Sequence, residues 1–123
     1  MTNKLNIVLI GNGMYSTGQG TDGYGTIVPA INEFNRKKQK VNLLHIVGSR
    51  AESTTKAKEK TDKLQTISGC NLPIVLSPNS EDNPEEYKKA ILEIEKPACA
   101  IIAVPDHLHY EITKFCLENN IHC

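Results

Sequence analysis

What most constrains this chain is a short apolar run, Leu5 to Ile10, that leads directly into Gly11-Asn12-Gly13 and then, past further glycines at 18, 20, 23 and 25, into a helix-period segment. Strand, glycine turn, helix is the context in which a G-x-G motif has meaning. The first glycine permits a tight turn, and the second lets the backbone approach a pyrophosphate. The helix start beyond presents unpaired N–H groups to anionic oxygens. Gly11, Asn12, Gly13, Met14 and Tyr15 are therefore candidate cofactor-binding residues, with Ser16 where the fingerprint has its third glycine. A glycine-rich turn without a ligand remains the alternative reading of the same letters.

The rest of the chain alternates strand-like and helix-like segments, which predicts an α/β domain with a parallel sheet. Leu5–Ile10, Val41–Val47, Ile74–Leu76 and Cys99–Val104 read as strands. Ile27, Ala30, Ile31 and Phe34 recur at helical spacing, with Pro29 near the first turn. A second helix is expected over Ser53–Ser68, anchored by Ala57, Leu64 and Ile67 and closed by Gly69. The third carries the best start signal: Asn83 as cap, Pro84 at the first position, Glu86 completing a capping box, then Tyr87, Ala90, Ile91 and Ile94 on one face. Leu108, Ile112, Phe115 and Cys116 define the last. The predicted fold is a Rossmann-like doubly wound sheet in the order 3-2-1-4, with Ile121–Cys123 opening a fifth strand beside the fourth.

Rival phosphate motifs can be tested on the same letters. Gly13 and Gly18 have Walker spacing, but Gln19 and Gly20 stand where a Lys and a hydroxyl must contact phosphate and magnesium. The dinucleotide reading needs a ribose-recognising group after the second strand, and Val47 leads to Gly48-Ser49-Arg50. No carboxylate stands there to accept from a ribose 2′-OH, whereas a hydroxyl and a guanidinium suit a 2′-phosphate. Ser49 and Arg50 thus favour NADP, with NAD the second choice. Ser49 stands 38 residues after Gly11, so the loop Ser16 to Thr26 is enlarged relative to the usual fingerprint.

Charge and composition remove other classes. With 123 residues there is one core's worth of chain, and 14 basic residues balance 14 acidic ones, so no global field draws nucleic acid or an anionic membrane. Met1 to Lys4 lead into the first apolar run without a cleavable signal pattern, and no run is long enough to span a bilayer; a cytoplasmic setting is expected. Cys70, Cys99, Cys116 and Cys123 form no C-x-x-C pair and read as buried free thiols. His107 and His109 lack a third ligand of suitable spacing, so no metal is assigned. Ser16 and Ser49 have no evident base, and no residue is assigned a catalytic role.

One run is more specific: Ala98-Cys99-Ala100-Ile101-Ile102-Ala103-Val104-Pro105-Asp106-His107-Leu108-His109. With Ile10-Gly11-Asn12-Gly13 and Gly48-Ser49-Arg50, it resembles the N-terminal domain of the glucose-fructose oxidoreductase and inositol dehydrogenase family of NAD(P)-dependent oxidoreductases, over nearly the whole chain. The resemblance implies that the turn Val104-Pro105-Asp106, together with His109, lies against the nicotinamide half of the cofactor. Val104 and Asp106 replace the commoner Thr and Asn of the family's T-P-N-x-x-H. It further implies a following strand, an E-K-P signature whose Lys assists catalysis, and a β-rich domain that holds a sugar- or polyol-like substrate. Since the chain stops before that signature, the expectation is a cofactor domain belonging to a longer protein. The exposed sheet edge this leaves predicts a homo-oligomer. A stand-alone nucleotide- or partner-binding module without turnover is the alternative.

Overall fold

β1 (Leu5–Ile10) occupies an interior position of the sheet because its side chains are apolar in both directions: Val8 and Ile10 pack on one face, Ile7 and Leu9 on the other. Such two-sided burial is the mark of a parallel sheet covered by helices. The computed structural model describes residues 4–123, so of the N-terminal stretch Met1 to Lys4 only Lys4 is described. In chain order the elements are β1, α1 (Met14–Thr17), α2 (Ile27–Lys38), β2 (Val41–Val47), α3 (Ala51–Ser68), β3 (Ile74–Ser77), α4 (Glu86–Glu93), β4 (Ala98–Ile102) and α5 (His109–Glu118), the last preceded by a 3-10 turn at Asp106–Leu108.

All strand pairs are parallel and the order is β3-β2-β1-β4, as the sequence predicts. The expected fifth strand begins as one parallel bridge, Cys99 to His122, in which the Ala100 N–H donates to the His122 carbonyl at 2.7 Å. One face carries α4 and α5, whose Tyr87, Ala90, Ile91, Ile112 and Cys116 pack on Val8, Ile10, Val47 and Ala100. The other carries α2, whose Val28 and Ile31 pack on Ile7, Leu9, Leu44 and Ile46. Fully buried Val8, Leu9 and Leu44 each contribute about 1.5–3 kcal/mol relative to exposure.

Several helices differ in detail from the sequence reading. α2 buries Val28, Ile31 and Asn32 and leaves Ala30 and Phe34 outside, a stripe rotated by part of a turn. α3 begins at Ala51 rather than Ser53, and its inner face is Thr54, Ala57 and Thr61, with Ile67 70% exposed. Two of those inner residues are threonines, so apolar periodicity could not reveal the face. Asn83 does cap the turn before α4, its Oδ1 accepting from the Glu85 N–H at 3.0 Å. The capping box does not close, because the Asn83 N–H is already donated to the Ser49 carbonyl and Glu86 bonds the Asn83 amide instead. The four thiols are free as expected, but Cys99 is half-buried and Cys123 exposed; burial and the neighbouring Cys123 push the Cys116 thiol up to about 11. No helix among the described residues is long and apolar enough to cross a membrane.

Candidate functional site

The carboxyl ends of β1 and β4 cross at very short range, and Gly11 makes that possible. Its φ is +110°, and a β-carbon there would overlap the Ala103 carbonyl. The turn is pinned on both sides, with Gly11 N–H donating to the Val47 carbonyl and Ala103 N–H to the Ile10 carbonyl, each at 2.8 Å. Beyond it, the buried Asn12 carbonyl accepts from Thr17 Oγ1 and Gln19 Nε2, each at 2.9 Å. The enlarged loop predicted before the first helix is therefore a break in that helix: α1 makes one turn, the chain loops out over residues 18–26, and α2 resumes. Lys60 of α3 clasps the excursion, donating to the Thr21 and Gly23 carbonyls at 2.7 and 2.6 Å and lying 5.2 Å from the Tyr24 ring centre.

Two recesses meet over this turn. One, of about 250 Å³, runs toward the exit of β2 and is lined by Gly11, Asn12, Gly13, Ser49, Val104 and Pro105, with Pro84, Tyr87 and Leu108. The other, of about 600 Å³, runs toward the start of α2 and is lined by Gly13, Met14, Tyr15, Ser16, Val104, Pro105 and Asp106. Gly13, Ala103, Val104 and Pro105 belong to both, so the recesses form one trough across the carboxyl ends of β1 and β4. Ligands bind to open α/β sheets at such a crevice, where the strand order reverses. A hollow of about 400 Å³ at the opposite end of the sheet, beside Lys4, Asn35 and Asn42, includes none of these residues.

Of the sequence-predicted residues, Arg50 and His109 line neither recess. Arg50 lies at the rim as the residue preceding α3; its carbonyl holds the Thr54 N–H and hydroxyl, while its exposed guanidinium has no partner among the described residues. His109 turns back on the motif, its Nε2 lying 2.9 Å from the Val104 carbonyl, so it braces the turn. That carbonyl can only accept, which puts the proton on Nε2. Sequence reasoning missed Tyr87 and Pro84, which carried no signal beyond helix patterning. It also missed Asp82, whose Oδ1 accepts the Ala51 N–H at 2.9 Å and caps α3 from 31 residues away. Burial raises the Tyr87 phenol above its ordinary value.

A pyrophosphate-bridged dinucleotide fits this trough on two observations. A β-carbon at Gly13 would meet nothing within 4 Å, so the backbone there lies open toward both recesses and a ligand can approach it closely. The Ser16 hydroxyl, buried at the lining of the wider recess, has no hydrogen-bond partner among the described residues. Together, fold and trough define a dinucleotide-binding domain of the Rossmann type. The chain belongs to the Gfo/Idh/MocA family: the model of that family, described as an oxidoreductase family with an NAD-binding Rossmann fold, matches residues 5–123. Comparison with curated proteins and with solved structures gave no match.

Proposed function

We propose that the chain is the cofactor-holding part of a nicotinamide-dinucleotide oxidoreductase that prefers NADP and acts on a sugar- or polyol-like carbon–oxygen centre. The observation that carries the reading is the open backbone at Gly13, at the junction of the two recesses, which suits a pyrophosphate with one nucleoside to either side. Ser49 and Arg50 then stand at the adenosine end and Val104, Pro105 and Asp106 at the nicotinamide end. The bound nicotinamide supplies hydride transfer; the protein supplies position and register. The NADP preference rests on Arg50, whose guanidinium is unengaged beside Ser49 at the rim.

The sugar- or polyol-like substrate is carried over from the resemblance of the sequence motifs, and no side chain in the trough selects it. Self-association is supported by large apolar side chains left outside, Leu92 on α4 and Tyr110 and Leu117 on α5. A light-scattering concentration series tests it, and a monomer at every concentration refutes it. The cofactor reading is tested by titrating the chain with NADPH and NADH, following nicotinamide fluorescence. Saturable binding with NADPH the tighter ligand is the expected result; tighter NADH binding ends the NADP assignment, and no binding of either ends the whole reading.

A further inference from the structure

Asp82, in the loop between β3 and α4, lines a separate hollow of about 620 Å³ with His45 and Ser77, outside both recesses, and from there its carboxylate reaches the start of α3 beside Ser49 and Arg50. Its carboxylate accepts the Ala51 N–H, the first of α3, at 2.9 Å, and the next residue, Asn83, donates its own N–H to the Ser49 carbonyl at 2.8 Å. These two hydrogen bonds tie residues 82–83 onto Ser49–Ala51, the segment that would meet a ribose 2′-substituent. Asp82 is exposed and forms no ion pair with Arg50; the neighbouring Glu52 is taken by Lys56 at 3.3 Å. A 2′-phosphate drawn by Arg50 and the start of α3 thus finds a carboxylate already on the helix N–H, and two anions in one place repel. The neutral 2′-OH of NAD meets the same carboxylate as a donor meeting an acceptor.

We propose that Asp82 is a specificity-determining residue that disfavours the 2′-phosphate and so restrains the NADP preference given by Ser49 and Arg50. This rests on the dinucleotide reading above, but on a residue outside every position of the glycine fingerprint. The charge and the cap can be separated. Asp82→Asn keeps an acceptor for the Ala51 N–H and is an equally good capping residue, while it removes the negative charge; Asp82→Ser does the same with a shorter side chain.

The test is NADPH and NADH binding by the full chain and both variants, at low and high salt, alongside thermal melting. The inference expects NADPH affinity to rise about tenfold in Asp82→Asn, with NADH affinity held within about twofold. It also expects Asp82→Ser to move the ratio in the same direction and the gain to shrink in about 1 M salt, where charges are screened beyond about 3 Å. A ratio unchanged in both variants, with both cofactors still bound, overturns the inference and leaves the dinucleotide reading standing. Equal gains for the two cofactors overturn it as well. A parent chain that binds neither cofactor overturns both.

Discussion

β1 and β2 lie side by side in register, Ile10 opposite Val47, yet their exits are completed in different ways. After β1 the turn is held by backbone alone against both neighbouring strands, Gly11 on the Val47 carbonyl and close under Ala103, while Thr17 and Gln19 return to the Asn12 carbonyl within seven positions. After β2 the exit is completed from elsewhere. Gly48 donates to the Ser77 carbonyl, Ser49 accepts from Asn83, and Asp82 caps the helix that follows. The β1 exit is a backbone-closed turn with little freedom, whereas the β2 exit is an assembly of two loops joined by side chains as well. The Gly13 part of the trough therefore depends on backbone shape, and the Ser49 end on which side chains a second loop brings.

The sharpest contrast is steric. Gly11→Ala places a β-carbon on a backbone carbonyl at a φ of +110°, where neither partner can yield, and the expected loss of stability is about 3 kcal/mol or more. Gly48→Ala meets the end of the Asn12 side chain, which can rotate away, and should cost about 1 kcal/mol. Urea titration of the two variants measures both numbers, and equal losses would erase the distinction between a closed and an adaptable exit. Gly13→Val is the complementary probe. It fills open space, so stability should stay within about 1 kcal/mol while affinity for both dinucleotides falls about a hundredfold. Unchanged affinity would show that the trough is not where the pyrophosphate lies.

At the β2 exit the expected effect is selective. Arg50→Ala removes a charge-assisted contact worth about 1.5–3 kcal/mol, so NADP affinity falls roughly tenfold to a hundredfold with NAD affinity preserved. Because Asp82 stays in place, the variant should bind NAD more tightly than NADP rather than treat them equally. Competitive titration reads the order directly. A parallel fall for both cofactors would mean that Arg50 acts on the shared adenosine and not on the 2′-phosphate.

The same contrast explains what the sequence made legible. Strand order, the central place of β1 and the glycine turn follow from contiguous letters, since a two-sided apolar run followed by Gly-x-Gly has few alternatives. Val104, Pro105 and Asp106 were placed through the resemblance of their motif, and the structure brings them to the trough because they leave a strand that neighbours β1. Asp82 could not be placed, because its role depends on a loop docking 31 residues from its partner. The start of α3 was misread for that reason, as its cap is absent from its own sequence. The inner face of α3 was misread for another: Thr54 and Thr61 satisfy their hydroxyls within the helix, on the carbonyls of Arg50 and Lys58, and so behave as core residues.

pH gives the smallest and most discriminating test of the two exits. His45 of β2 holds Ser77 of β3 through Nε2 and Oγ at 2.8 Å, and the Ser77 carbonyl accepts the Gly48 N–H at 2.9 Å, so the imidazole lies one residue's hydrogen bonding from the β2 exit. Burial lowers the His45 pKa from 6.5; Glu86 and Glu93 oppose that shift and Lys89 adds to it. The folded chain therefore binds fewer protons than the unfolded chain between that lowered value and 6.5. This share of stability is full above 6.5 and is lost as pH falls through that window. Protonation also makes Nε2 a donor, which leaves the Ser77 hydroxyl to accept. The turn Gly11 to Gly13 itself carries no titratable side chain. Denaturant titrations at pH 7.5, 6.5 and 5.5 should show the parent losing stability on acidification and His45→Gln losing less. An identical fall in parent and variant would place the acid sensitivity elsewhere than at the β2 exit.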